Sequence, residues 1–123
     1  MKKILIVDDD VRLLDITRKA LEGAGKYEVM AEDSGRRAVA AAAKFKPDLV
    51  ILDVMMPGMD GGDVAGALRA QAGTRNVPIL FLTSLLSRKE AAARPCQKGA
   101  DQYLAKPVDP QELSRRVEEL CAG

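Results

Sequence analysis

"ILIVDDD", Ile4 to Asp10, runs four branched apolar residues directly into three adjacent carboxylates. The apolar run fits a strand buried on both faces, as in a parallel sheet covered by helices. The acids that follow repel one another, so they are either solvated turn residues or are gathered around a cation. Which reading holds depends on what else the fold brings to the end of that strand.

The alternation of short apolar strands with helical patterns continues through the 123-residue chain, the signature of repeated βα units around a parallel sheet. Strands are expected at residues 3–7, 27–31, 49–52, 79–82 and 102–105. A first helix is expected over residues 11–22, with Leu13, Leu14, Thr17 and Leu21 on one face and Gly23 and Gly25 ending it. The second follows Ser34 as N-cap and is rich in alanine until Pro47 closes the connection. A third follows Asp60, with Val64, Leu68 and Gln71 in step. The fourth opens with Ser87 and Glu90 as a capping box, but Pro95 shortens or kinks it. The last opens "DPQE": Asp109 is the N-cap, Pro110 takes the first helical position and Glu112 completes a capping box, with Leu113, Val117 and Leu120 facing inward. The expected architecture is one α/β domain over residues 1–123, a five-stranded parallel sheet between two layers of helices.

Nineteen basic and eighteen acidic residues leave a formal charge of +1, too little to attract nucleic acid or an anionic membrane. The opening "MKKILIVDDD" is not a signal peptide, because its apolar run is short and breaks into acids. No later segment is long and apolar enough to span a bilayer. Cys96 and Cys121 fit none of the paired spacings used for zinc or redox chemistry, and the expected compartment is the cytoplasm. Histidine is absent, which removes the commonest general base and the commonest transition-metal ligand. Any chemistry must use carboxylates, lysine and hydroxyls.

Open parallel sheets bind ligands outside the carboxyl ends of their strands, near the point where the winding reverses. That edge would collect Asp8 and Asp9 after the first strand, Asp53 after the third, Thr83 and Ser84 after the fourth and Lys106 after the fifth. Each alone has a plain structural explanation: a solvated turn acid, a β-branched strand residue, a surface lysine at a helix start. Together they supply three carboxylates, a hydroxyl and an ammonium at one edge. Crowded carboxylates call for a compensating cation, and hard oxygen ligands without histidine or thiolate suit Mg²⁺. The set is suited to phosphoryl transfer, with Asp53 as the nucleophile that forms an acyl phosphate. Nucleotide-binding folds are disfavoured, because neither G-x-G-x-x-G nor G-x-x-x-x-G-K-[ST] follows any strand.

The stretches "ILIVDDD", "PDLVILDVMMPGMDG", "VPILFLTS" and "GADQYLAKP" together resemble the receiver domain of two-component response regulators, across essentially the whole chain. The resemblance implies a flavodoxin-like sheet in the order 2-1-3-4-5. It implies that Asp53 is the phosphoacceptor, that Asp9 ligates Mg²⁺ directly, that Asp8 does so through water, and that Met55 adds its backbone carbonyl. Thr83 resembles the switch hydroxyl, Lys106 the cation paired to the phosphoryl oxygens, Tyr103 the switch aromatic and Pro107 a cis proline, while Asp10 is read as a helix cap. The implied donor is a phosphohistidine on a sensor histidine kinase or histidine phosphotransfer protein, since this chain has no histidine of its own. The implied output is a change in the face built from the fourth helix, fifth strand and fifth helix, read by an output protein or domain that the sequence does not identify. Phosphorylation-dependent homodimerisation through that face is compatible with the sequence, and nothing in it demands this. No DNA-binding module follows the fifth helix, so DNA binding by this chain alone is not expected.

Two other readings compete. An aspartate-nucleophile phosphatase would share Mg²⁺, the lysine and the hydroxyl, but its motif places a second Asp two residues after the nucleophile, where this chain has Met55. A receiver used only as a scaffold would be free to lose its acids, and all are present. The expectation is therefore a signalling module, not an enzyme with a separate substrate.

Overall fold

Ile4, Leu5, Ile6 and Val7 are each at most 1% exposed, so the first strand is covered on both faces, as its unbroken apolar run requires. The computed structural model describes residues 1–23, 25–56, 58–83, 102–105 and 109–121. Its elements run β1 (Lys2–Val7), α1 (Val11–Glu22), β2 (Tyr27–Glu32), α2 (Gly35–Phe45), β3 (Leu49–Asp53), α3 (Gly61–Ala70), β4 (Ile79–Thr83), β5 (Gln102–Ala105) and a last helix (Pro110–Cys121). The expected fourth helix, with Pro95 and Cys96, lies outside the described residues.

The five strands form one parallel sheet in the order β2-β1-β3-β4-β5. The register places Val7 beside both Glu32 and Leu52, Asp53 beside Leu82 and Thr83 beside Ala105, so the strands end nearly level at the carboxyl edge. Alternate residues of each strand feed two separate cores. Leu5, Val7, Val50, Leu52, Ile79 and Phe81 pack with α2 and α3. Ile4, Ile6, Leu49, Ile51, Leu80 and Leu82 pack with α1 and the last helix. Because β1 continues into α1 on one face and β3 into α3 on the other, the chain divides between those two strands and leaves a crevice at their ends.

Among the described residues, three of the expected N-caps are seen and one is not used. Asp10 caps α1, its Oδ1 accepting from the Arg12 and Leu13 backbone N–H groups at 3.1 and 3.3 Å. Asp60 and Asp63 form a reciprocal capping box at the start of α3. Asp109 accepts from the Gln111 N–H at 3.0 Å, with Leu113 and Val117 buried below it. Ser34 stands at the N-cap of α2 with suitable extended backbone, but its side chain makes no capping hydrogen bond. That helix start is fixed instead by Gly35, which packs against Val64 and Met59.

Candidate functional site

The carboxyl end of β1 is the floor of the site. The Asp8 N–H donates to the Glu32 carbonyl at 3.1 Å, which carries the β1–β2 ladder one residue past the strand and draws Asp8 inside, where it is 1% exposed. Asp8 Oδ1 accepts from the Asp10 N–H at 2.9 Å, tying the buried acid to the residue that caps α1. Asp9, between them, is exposed. A strand, a buried acid, an exposed acid and a capping acid thus follow in four consecutive positions, and each has a different job.

Asp53 is the last residue of β3 and 4% exposed. The next peptide continues the ladder, Val54 N–H donating to the Leu82 carbonyl at 3.0 Å. The Met55 N–H lies 3.4 Å from Asp53 Oδ1, while the Met55 side chain is 59% exposed beside it. Thr83 ends β4 and is 2% exposed. Tyr103, in the middle of β5, is half-buried, its ring stacked on Phe81 with centroids 5.2 Å apart and planes 20° from parallel.

Asp8, Asp9 and Asp53 each bring a carboxylate oxygen to within 4.8 Å of the other two. Ligands about 2.1 Å from a Mg²⁺ ion are separated by at most about 4.2 Å when trans. Three carboxylates gathered this closely would hold one Mg²⁺ between them, directly or through water. The donors are all hard oxygens, and two of the three acids are buried, which suits Mg²⁺ and excludes the nitrogen and sulfur sets that favour zinc or copper.

Of the residues expected at the site, the fold brings Asp8, Asp9 and Asp53 together and places Thr83 at the end of the next strand. Tyr103 stands one strand further out, on β5. Ser84, Lys106 and Pro107 lie outside the described residues. One participant was missed in the sequence: Gly61, which opens α3 directly against the backbone of Asp53 and Val54. Its signal was a glycine at a first helical position that Asp60 already capped, where any better helix former would serve unless space forbade it.

The comparisons agree with this geometry. The chain is 39% identical over 120 residues to the "DNA-binding dual master transcriptional regulator RpaA" of Synechocystis, an alignment covering 98% of this chain and 49% of that one. The chain spans about half the length of that relative and of the mycobacterial DNA-binding response regulators named MtrA, which are 40% identical. Among solved structures it is similar to the chemotaxis protein CheY4 of Vibrio cholerae, with a TM-score of 0.83, 35% identity and 98% of each chain covered. It is also similar to the receiver domain of sensor histidine kinase PA1611 from Pseudomonas aeruginosa, with a TM-score of 0.82, 30% identity and coverage of 99% of this chain and 98% of that one. That structure has a magnesium ion coordinated in its active-site cleft. Residues 4–118 match the response regulator receiver domain, and with the sheet order and acid cluster in agreement, the chain belongs to that family of two-component signalling domains.

Proposed function

We propose that this receiver domain takes a phosphoryl group onto Asp53 from a phosphohistidine on a separate sensor histidine kinase or histidine phosphotransfer protein. Mg²⁺ would be held by Asp8, Asp9, Asp53 and the backbone carbonyl of Met55. The observation that carries the reading is the convergence of three carboxylates within 4.8 Å at the ends of two adjacent strands. An Asp53 carboxylate oxygen attacks phosphorus, an O–P bond forms as the donor's N–P bond breaks, and the imidazole leaves as the acyl phosphate is made. The bound cation supplies charge neutralisation between an anionic nucleophile and an anionic phosphoryl group. Burial of Asp53 and Asp8 keeps bulk water from competing for the same electrostatic field.

The consequence is a shift between two arrangements of the sheet edge. Phosphorylation adds negative charge and acceptor oxygens at the end of β3. The Thr83 hydroxyl, at the end of the neighbouring strand, turns toward them, and Lys106 pairs with them. Movement of Thr83 changes the space beside Tyr103, whose inward rotation alters the surface around β5 and the last helix. A partner that prefers the altered surface is thereby recruited, and a second copy of the chain is one such partner. The protein acts by binding, in the cytoplasm, and its only chemistry is its own phosphorylation and dephosphorylation. Among the described residues no helix is long and apolar enough to cross a membrane.

The test is the mass of the intact protein after incubation with Mg²⁺ and acetyl phosphate. Wild type is expected to gain one phosphoryl group only when Mg²⁺ is present, and Asp53→Asn to gain none. An adduct that survives in Asp53→Asn would place the phosphoacceptor on another carboxylate. A folded wild type that gains none would favour a scaffold that works without phosphorylation.

A further inference from the structure

Gly35 opens α2 and Gly61 opens α3, and both are buried. Among the described residues the glycines with positive φ are Gly25 and Gly58, so neither helix start needs glycine for its backbone conformation. The need is spatial. A Cβ at Gly61 would stand 2.6 Å from the Asp53 carbonyl oxygen, 2.9 Å from Val54 Cα and 3.2 Å from the Asp53 carbonyl carbon. All three are backbone atoms, so no change of rotamer relieves the clash.

Val54, the residue after Asp53, is held through both of its backbone groups. Val54 N–H donates to the Leu82 carbonyl of β4 at 3.0 Å, and the Val54 carbonyl accepts from the Gly61 N–H at 3.0 Å. The first turn of α3 therefore rests on the peptide unit that carries Asp53. On the other side, a Cβ at Gly35 would meet Val64 Cγ2 at 2.9 Å, the Met59 carbonyl oxygen at 3.0 Å and Met59 Cβ at 3.1 Å. Gly66, five residues along α3 from Gly61, is different: a Cβ there meets nothing within 4 Å.

We propose that Gly61 and Gly35 are positioning residues for the acid site: the bare start of α3 lets it close against the backbone of Asp53 and Val54, the bare start of α2 lets it close on Val64 and Met59 behind α3, and together they hold the Asp53 carboxylate in register with Asp8 and Asp9. The proposal rests on the reading of these acids as the Mg²⁺ and phosphoryl site. Mg²⁺ demands near-ideal octahedral geometry, and a working ligand set must be held to within about 0.5 Å. Moving a Cβ from 2.6 Å to an ordinary contact shifts the Asp53 backbone by about 1 Å. Misplacement on that scale costs about 10²-fold in rate.

The experiment compares Gly61→Ala, Gly35→Ala and Gly66→Ala with wild type in the full chain. It measures thermal midpoint by circular dichroism, Mg²⁺ affinity by calorimetric titration of the metal-free protein, and phosphorylation rate with acetyl phosphate. Gly66→Ala should raise the midpoint and leave Mg²⁺ affinity unchanged. Gly61→Ala should weaken Mg²⁺ binding by roughly 10- to 100-fold in the folded protein, with phosphorylation slowed in parallel. Gly35→Ala should show a smaller loss of both, since its nearest contact is a side chain. If Gly61→Ala does not fold, Gly35→Ala decides by the same titration. A lowered midpoint with wild-type Mg²⁺ affinity would mean that the glycines only pack, and would overturn the proposal. A wild type that neither binds Mg²⁺ nor accepts a phosphoryl group would overturn the reading of the site itself, before any glycine variant is considered.

Discussion

At the amino end of β1, Lys3 donates from its backbone N–H to Asp48 Oδ2 at 2.8 Å and from Nζ to the Phe45 carbonyl at 3.3 Å. Its Nζ also lies 5.5 Å from the centroid of the Phe45 ring, and the Asp48 N–H returns a bond to the Lys3 carbonyl at 2.7 Å. Nearby, Lys26 Nζ meets Glu118 at 3.0 Å, joining the start of β2 to the last helix. At the carboxyl end of the same strand, Asp8 is buried and shares a 4.8 Å cluster with Asp9 and Asp53. One end joins opposite charges and closes its backbone bonds; the other crowds three charges of the same sign. The apolar residues between them, Ile4 to Val7, are almost fully buried and anchor both. The amino end is thus closed by hydrogen bonds and opposite charges, while the carboxyl end gathers the acids at which a cation would act.

If the carboxyl end is strained by like charge, Mg²⁺ should stabilise the protein there, with the largest effect of the series. At a hundredfold excess over its Kd it is expected to add about 2.7 kcal/mol to the unfolding free energy. Asp9→Asn removes one charge at an exposed position, so the metal-free protein should gain roughly 0.5 kcal/mol while most of the Mg²⁺ increment disappears. Urea melts with Mg²⁺ and with a chelator give both numbers. Equal increments in wild type and Asp9→Asn would show that the ion binds elsewhere. The amino end should respond in the opposite sense: Lys3→Met keeps the aliphatic stem but loses the ammonium, costing about 1 kcal/mol and leaving the Mg²⁺ increment intact. A cost that appeared only with Mg²⁺ would erase the distinction between the two ends.

Much of this was legible in the sequence, and the rest was not for physical reasons. Strand positions were readable to within a residue because unbroken runs such as Ile79 to Leu82 have no other stable place in so short a chain. Helix α1 was readable at both ends because Asp10 and Gly23 punctuate it. The acid triplet could be placed at the sheet edge and Asp10 read as the cap of α1, but Asp8 and Asp9 could not be divided into a buried and an exposed acid. That division depends on the ladder bond from Asp8 to Glu32, a residue 24 positions away. Ser34 suggested a side-chain cap that the fold does not use, since local propensity cannot see Val64 and Met59 packing on Gly35. Gly61 stood in the quoted motif without a role for the same reason: its meaning lies in a distance to Asp53, not in its neighbours along the chain.

The smallest expected effect concerns pH, and it too separates the ends of the sheet. Three amino-end groups hold their protons more tightly in the folded protein than in the unfolded chain. The Lys26 ammonium is favoured by its hydrogen bond to Glu118 and then by that carboxylate's charge. Burial pushes the Tyr27 phenol up, reinforced by Cys121 and Glu118, and burial is likewise the main cause at the Cys121 thiol, followed by the Asp48 charge. In all three the native state binds more protons than the unfolded state once pH passes the unfolded value, so stability must fall as pH rises. The onset belongs to the thiol, at about pH 8.5, with the phenol and ammonium following near pH 10. Urea melts from pH 7 to 10.5 should therefore be flat at first and then decline, and Cys121→Ala should delay the onset of the decline. An onset that did not move would remove Cys121 from the account and leave Lys26 and Tyr27. Because Lys26, Tyr27 and Cys121 sit at the far end of the sheet from Asp8, Asp9 and Asp53, their titration should leave the Mg²⁺ increment unchanged between pH 7 and pH 9. Alkaline weakness and metal-dependent strength would then be independent properties of the two ends of one strand.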